Sequence, residues 1–81
     1  MYHVYILKCA DGKKYVGYTS NFNERLARHE RGEVKFTSSR LPVEIVAVIS
    51  VKDQYTAIKL EDYFKTGSGR AFTEKHFTKE E

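Results

Sequence analysis

The stretch YHVYILKCADGKKYVGYT, residues 2–19, predicts that the chain begins with a β-hairpin. Two runs rich in β-branched and aromatic residues, Tyr2–Cys9 and Lys14–Thr19, flank the pair Asp11-Gly12. Such runs favour strands, and Asp-Gly between them is typical of a tight antiparallel turn. The rest of the fold is therefore expected to build on this pair of strands.

The length of the turn decides which side chains share a face of the sheet. A two-residue loop would place Tyr5 and Tyr15 on opposite faces, because side chains alternate along a strand. A three-residue loop with Gly12 in the left-handed conformation would place both tyrosines on the face that carries Gly17. We favour the three-residue loop, because a chemical site would need both hydroxyl groups on one side, with the gap that Gly17 leaves beside Tyr5.

The residues after the hairpin predict one helix and then an irregular segment. Asn21 is a suitable N-cap for a helix that starts at Phe22 and continues to about Arg31. Gly32 follows as the expected stop at the C-terminal end. Residues 33–42 have no hydrophobic periodicity, so they predict a loop.

The remaining residues predict one more strand and two helices. Val43–Val51 is almost continuously apolar and predicts a strand that is covered on both faces. Asp53 can cap a helix that ends near Thr66, and Ser68 can cap a short final helix that ends near His76. The order β-β-α-β-α-α then predicts an α+β fold, a three-stranded sheet flanked by helices.

The composition fits one small domain spanning residues 1–81. The single cysteine, Cys9, cannot form an internal disulfide, which predicts a reducing, cytoplasmic location and excludes a zinc site built on paired cysteines. No apolar stretch approaches the ~20 residues of a membrane span, so no membrane association is expected. The formal net charge of +3 is too mild to identify a partner by itself.

The first predicted helix carries polar residues on the face that should be buried. Phe22, Leu26 and His29 follow the i, i+4, i+7 spacing of one stripe, and Arg25 lies on its flank. A snorkelling arginine or a hydrogen-bonded core histidine would explain either polar residue alone. The two together favour a functional site on this face.

The second long helix has a carboxylate in its apolar stripe. Ala57, Leu60, Glu61 and Phe64 follow the i, i+3, i+4, i+7 spacing. A buried glutamate must be paired, protonated or bound to a metal, because an isolated buried charge is very costly. Lys65, four residues after Glu61, offers a plain helical ion pair that contributes about 0.3–0.5 kcal/mol. A structural and a functional role for Glu61 are therefore both open.

These residues together resemble the signature of the GIY-YIG nuclease superfamily. H-V-Y at residues 3–5, followed after nine residues by Y-V-G at 15–17, resembles its two motifs. That superfamily keeps its other site residues at positions that correspond to Arg25, His29 and Glu61. The stretch E-D-Y-F-K-T-G-S-G-R-A-F at 61–72 resembles the ending of small, single-domain bacterial members. The resemblance implies a GIY-YIG-like fold with no separate DNA-targeting domain.

The resemblance also implies a metal-dependent endonuclease that hydrolyses DNA phosphodiester bonds. Glu61 would be the single protein ligand of one divalent cation, Mg²⁺ or Mn²⁺, and Arg25 would bind the scissile phosphate. Tyr5 or Tyr15 would take the proton from the attacking water, and His29 would relay that proton or orient a tyrosine hydroxyl. A phenol with a pKa of about 10 is only ~0.1% ionised at pH 7, so nearby positive charge has to lower it.

Three positions depart from the superfamily pattern. His3 stands for the glycine of the first motif, and Val16 stands for the isoleucine of the second. Tyr18 stands where repair-type relatives often have a lysine. The tyrosine removes one phosphate contact or replaces it with base stacking.

Four further basic residues are candidates for contacts with nucleic acid: Lys35, Arg40, Lys65 and Arg70. Phe36, between the first two, could stack on a base. The run Gly67-Ser68-Gly69-Arg70 allows a phosphate-binding nest or, more simply, a helix stop followed by a helix cap.

Two other functions are compatible with the sequence. The domain could bind nucleic acid with little or no catalysis, or it could be an adaptor for a partner peptide. Phosphate contacts weaken steeply as salt rises, so salt dependence separates the adaptor from the other two. For the nuclease, the expected partner is DNA, including structured or branched DNA, with a role in repair or recombination. A protein partner could supply its specificity.

Overall fold

The computed structural model describes residues 1–78, which form three strands and four helices. The elements are β1 Tyr2–Lys8, β2 Lys14–Thr19, α1 Phe22–Glu30, α2 Lys35–Ser38, β3 Glu44–Val51, α3 Gln54–Phe64 and α4 Gly67–His76. Apart from α2, they follow the predicted order β-β-α-β-α-α, so the α+β fold is confirmed. None of the helices in this range is long and apolar enough to cross a membrane.

The hairpin between β1 and β2 has the three-residue turn. The Cys9 amide donates to the Lys13 carbonyl at 2.7 Å, and the Gly12 amide donates to the Cys9 carbonyl at 2.9 Å. Gly12 has a φ of 89°, a left-handed conformation that a side chain would disfavour. The predicted turn is therefore confirmed.

This turn sets the register that divides β1 into two faces. Tyr5 lies opposite Gly17, and Tyr15 lies opposite Leu7. Both tyrosines therefore share one face of the sheet, as the three-residue turn predicts. The alternate residues of β1, such as Ile6, point to the other face of the sheet.

The strand order is β2-β1-β3, so β1 is central and β3 lies at an edge. The four residues from Val4 to Leu7 in β1 are all buried. The prediction that Val43–Val51 is covered on both faces is wrong, because Ile45 and Val48 are 47% and 40% exposed. A continuous apolar run favours a strand, but it does not reveal how much of the protein lies on either side of that strand.

Helices α1 and α3 cover opposite faces of the sheet. Val4 and Ile6 of β1 pack with Ala57 and Phe64 of α3 in a buried apolar cluster. On the other face, the Tyr5 ring contacts Phe22 of α1, with ring centroids 5.4 Å apart. The side-chain alternation of one central strand thus creates two separate packing environments.

Two of the three predicted N-caps are confirmed. Asn21 caps α1 and Asp53 caps α3, each side chain accepting the amide three residues later. The third prediction is wrong by two residues, because α4 is capped by Thr66 and not by Ser68. The Thr66 hydroxyl accepts a hydrogen bond from the Gly69 amide at 3.0 Å. Residues 67–70 are already helical, so they form the first turn of α4 rather than a loop-like nest.

The predicted loop at 33–42 contains the short helix α2. Arg40 stabilises it, because its guanidinium donates to the Phe36 carbonyl at 2.6 Å and to the Asp11 carboxylate of the hairpin turn at 3.1 Å. The N-cap residue, Val34, makes no side-chain capping bond. A helix of four residues is unstable alone, so this one depends on tertiary contacts that a sequence pattern cannot show.

Candidate active site

A chain of three buried polar side chains runs from β1 through α1 to α2. The Tyr5 hydroxyl lies 2.9 Å from Nε2 of His29, and Nδ1 of His29 lies 2.8 Å from Oγ1 of Thr37. All three side chains are fully buried, and each is hydrogen bonded. Buried polar groups of this kind are stable only when they are paired in this way. The polar residue in the stripe of α1 therefore has a structural partner on each side.

Burial decides the protonation states of Tyr5 and His29. It raises the pKa of Tyr5 to about 12, although the Arg25 guanidinium beside the hydroxyl acts in the opposite direction. It also lowers the pKa of His29, and the positive charges of Arg25 and Arg28 lower it further. At neutral pH, Tyr5 therefore keeps its proton and His29 is uncharged.

Tyr15 lies against this buried pair and is only partly buried itself. Its ring is stacked on the Tyr5 ring, with centroids 6.1 Å apart and an angle of 7° between the planes. The His29 ring meets it edge-on at 4.8 Å, and the Phe36 ring of α2 does so at 5.8 Å. Three neighbouring rings thus fix the orientation of Tyr15.

A cleft of about 540 Å³ is lined by residues of β2, α1 and α3. Four of the predicted site residues line it: Tyr15, Gly17, Arg25 and Glu61. The other two, Tyr5 and His29, lie behind this lining in the buried chain. The structure therefore brings the residues singled out by sequence together in two layers, one open to the cleft and one buried.

The space beside Gly17 is filled rather than open. A Cβ atom at this position would lie 2.8 Å from the Tyr5 hydroxyl and 3.3 Å from the Tyr15 ring. The expectation that Gly17 leaves a gap beside Tyr5 is therefore wrong, because the Tyr5 hydroxyl itself occupies that space. The absence of a side chain allows Tyr5 to reach His29 across β2.

Glu61 forms an ion pair within its helix and also lines the cleft. Its carboxylate lies 3.0 Å from the Lys65 ammonium, and its side chain is 17% exposed. The helical ion pair is thus present, and the same carboxylate lines the cleft with Arg25. Ion pairing and a role in the cleft are compatible in this geometry.

The donor set around Glu61 fits a cation that keeps most of its water. Within residues 1–78, no cluster of three His, Cys, Asp or Glu side chains could hold a metal ion with protein ligands alone. Mg²⁺ usually takes one or two carboxylates, several waters and phosphate oxygens. A single carboxylate in an open cleft suits that requirement.

The four basic residues that are predicted to contact nucleic acid lie in different surroundings. Lys65 and Arg70 line a second cleft of about 550 Å³, which shares Tyr15 with the first. Arg40 is engaged by the hairpin turn and also lies over the Phe36 ring at 4.2 Å. Lys35 is exposed and lines neither cleft.

Several residues of the buried chain and of the clefts carry no signal in the sequence. Thr37 lies in the aperiodic segment, so nothing marks it as the partner of His29. Gln54 lines the first cleft and donates to the Tyr18 hydroxyl at 3.2 Å. Lys13 and Lys14 line the second cleft, although their positions next to a turn suggest only solvation.

The model of the GIY-YIG catalytic domain matches residues 1–76. The chain therefore belongs to the GIY-YIG family, whose domain implies nuclease or hydrolase activity in general.

Its relatives include small bacterial proteins of the UPF0213 group. The chain is 40% identical over 65 residues to a UPF0213 protein of Lactococcus lactis, covering 79% of this chain and 62% of that one. It is 40% identical over 62 residues to one of Bacillus cereus, covering 75% and 65%. The match thus spans less than two thirds of the length of either relative.

A solved structure supports the same relationship. The solution NMR structure of a UPF0213 protein from Bacillus halodurans matches this fold with a TM-score of 0.58 and 34% sequence identity. The match covers 93% of this chain and 82% of the other. The family membership and the fold therefore agree.

Proposed function

We propose that this protein is an endonuclease that hydrolyses DNA phosphodiester bonds with one divalent cation, Mg²⁺ or Mn²⁺, and that it acts in DNA repair or recombination. The observation that carries the nuclease proposal is the convergence of Tyr15, Arg25 and Glu61 on one cleft from three separate elements. A hydroxyl, a guanidinium and a carboxylate supply what phosphodiester hydrolysis needs: a proton acceptor, a phosphate ligand and a cation ligand.

Arg25 binds the scissile phosphate in this proposal. Its planar guanidinium matches two phosphate oxygens, and it stays positively charged throughout the accessible pH range. Glu61 holds the divalent cation, which supplies positive charge for the negative charge that develops on the phosphate. Both side chains line the same open cleft, where a substrate phosphate can reach them.

Tyr15 is the proposed acceptor of the proton from the attacking water. Tyr5 is poorly suited to that role, because it is fully buried, its hydroxyl is bonded to His29, and burial raises its pKa to about 12. Tyr15 instead lines the cleft with Arg25, and the stacked Tyr5 ring supports it from behind. His29 then positions the tyrosines and does not itself meet the substrate.

Basic residues beside the cleft support DNA as the substrate. Four of them line the adjoining cleft, against one acidic residue, Glu74: Lys13, Lys14, Lys65 and Arg70. These side chains could follow the phosphates on one side of the scissile bond. Binding should then weaken steeply as salt concentration rises.

The test is cleavage of nicked, branched and single-stranded DNA with Mn²⁺ by the wild type and by Glu61→Gln. We expect the variant to lose activity by about 10²–10³-fold, because it removes a negative ligand without changing side-chain size. Glu30→Gln, the same change at an exposed position on α1, is the matched control and should cleave normally. If Glu61→Gln cleaves as fast as the wild type, the cleft is not the nuclease site.

A nucleic-acid-binding module with little catalysis is the second candidate. The ion pair between Glu61 and Lys65 favours it, because that pair competes with a cation for the carboxylate. It predicts salt-sensitive DNA binding in the wild type without cleavage at any Mn²⁺ concentration.

A further inference from the structure

Thr37 is a fully buried polar residue that the proposed chemistry does not use. Its hydroxyl lies 2.8 Å from Nδ1 of His29 and 3.4 Å from the Val34 carbonyl. The His29 ring has two nitrogens, and in its neutral form one donates while the other accepts. The partner of Nδ1 therefore decides what Nε2 can do toward Tyr5.

The Val34 end of the buried chain sets the direction of its hydrogen bonds. The Val34 carbonyl can only accept, so the Thr37 hydroxyl donates to it and its oxygen accepts from His29. Nδ1 of His29 then carries the hydrogen of the neutral ring, so Nε2, which lies 2.9 Å from the Tyr5 hydroxyl, can only accept. The Tyr5 hydrogen then points inward, toward Nε2 of His29.

We infer that Thr37 is a positioning residue, which holds His29 in the tautomer with hydrogen on Nδ1 and thereby turns the Tyr5 hydroxyl away from the cleft. Both nitrogens of His29 are then occupied, Nδ1 by donating and Nε2 by accepting. His29 has no free nitrogen to take a proton from the cleft. The buried chain is thus a fixed support for Tyr5 rather than a proton relay.

The position of α2 gives this support a rigid anchor. Phe36, next to Thr37, contacts the Tyr15 ring, and Arg40 ties α2 to Asp11 of the hairpin turn. The same four-residue helix therefore holds His29 through a hydroxyl and Tyr15 through a ring. The catalytic consequence of this arrangement rests on the proposed function, whereas the tautomer does not.

The tautomer can be read directly from long-range ¹H–¹⁵N correlation spectra of the full chain, without any substrate. We expect the wild type to show His29 with hydrogen on Nδ1 only. Thr37→Ser, which keeps the hydroxyl, should show the same pattern. Thr37→Val, which keeps the shape but removes the hydroxyl, should shift His29 to the other tautomer or to a mixture.

The matched control is Thr73→Val. Thr73 is also buried, and its hydroxyl donates to the Gly69 carbonyl within α4, away from His29. This variant should leave the His29 signals of the wild type unchanged. Hydrogen on Nε2 in the wild type, or an unchanged tautomer in a folded Thr37→Val, would overturn the inference.

Cleavage assays add the catalytic readout. Thr37→Val should lower kcat by about ten- to a hundredfold with little change in KM, and Thr37→Ser should retain most of kcat. An unchanged kcat in Thr37→Val with an altered tautomer would overturn the positioning role. If the wild type does not cleave DNA at all, the proposed function fails, but the tautomer assignment is still tested by the spectra.

Discussion

The two faces of β1 are built from opposite chemistry, although their residues alternate along one strand. On the α3 face, Val4 and Ile6 pack with Phe64 in an apolar cluster. On the α1 face, Tyr5 joins His29 in a buried hydrogen-bonded chain. Apolar packing depends on filled volume and is not directional, whereas hydrogen bonds depend on direction and on the position of each proton. The α3 face of β1 is therefore suited to stability, and its α1 face to the precise placement of Tyr5 and His29.

Phe64→Ala should produce the largest effect, because it removes a ring from the α3 face. Phe64 is 3% exposed, and loss of a buried phenylalanine costs about 3–5 kcal/mol of unfolding free energy. Urea denaturation followed by circular dichroism measures this cost. Phe72→Ala, at a ring that is 38% exposed, is the matched control and should cost clearly less. Equal costs for the two variants would show that α3 does not provide the main apolar contact of β1.

Gly17→Ala should harm the α1 face by adding a single methyl group. The new Cβ would lie 2.8 Å from the Tyr5 hydroxyl, so Tyr5 must shift away from His29, at a cost of about 1–3 kcal/mol. Thermal unfolding and cleavage assays should both show the loss. Gly67→Ala, where the added atom meets no other residue, is the control and should not destabilise the protein. A Gly17→Ala variant as stable as the wild type would mean that the Tyr5 hydroxyl is not fixed above β2.

The smallest effect should be a pH dependence that comes from the α1 face. The pKa of His29 is lowered in the folded protein, so the unfolded chain binds more protons as pH falls below 6.5. Unfolding free energy should therefore decrease as the pH falls through about 6.5 and then level off below the lowered pKa of the folded state. Urea midpoints across this range measure the slope.

His29→Gln is the control for this pH dependence, because glutamine does not titrate. The variant should be less stable at pH 7 but show a shallower slope in the same range. An unchanged slope would assign the pH dependence to other groups, such as Asp53 and Glu74, whose pKa values are lowered by their partners and which act at more acidic pH.

Much of the framework follows from local patterns. The Asp11-Gly12 turn, confirmed with its three-residue loop, sets the register that puts Tyr5 and Tyr15 on one face. The caps Asn21 and Asp53 mark where two helices begin. The turn and the two caps can be predicted because each depends on a few residues that are close together in the sequence.

The misplaced polar residues in apolar stripes could also be found from sequence. Arg25, His29 and Glu61 stand out because helical periodicity predicts which face is buried. Periodicity does not show what each residue meets there. Their proposed roles in catalysis stay predictions until variants are measured.

The sequence by itself thus determined the hairpin and the polar residues around which a site could form, because these depend on spacing along the chain. Only the tertiary structure decided that β3 is an exposed edge, that α2 is a helix, and that the space at Gly17 is filled. It also decided that Thr37, eight residues beyond His29, closes the buried chain. These outcomes depend on contacts between elements, whose distances and directions no local pattern encodes.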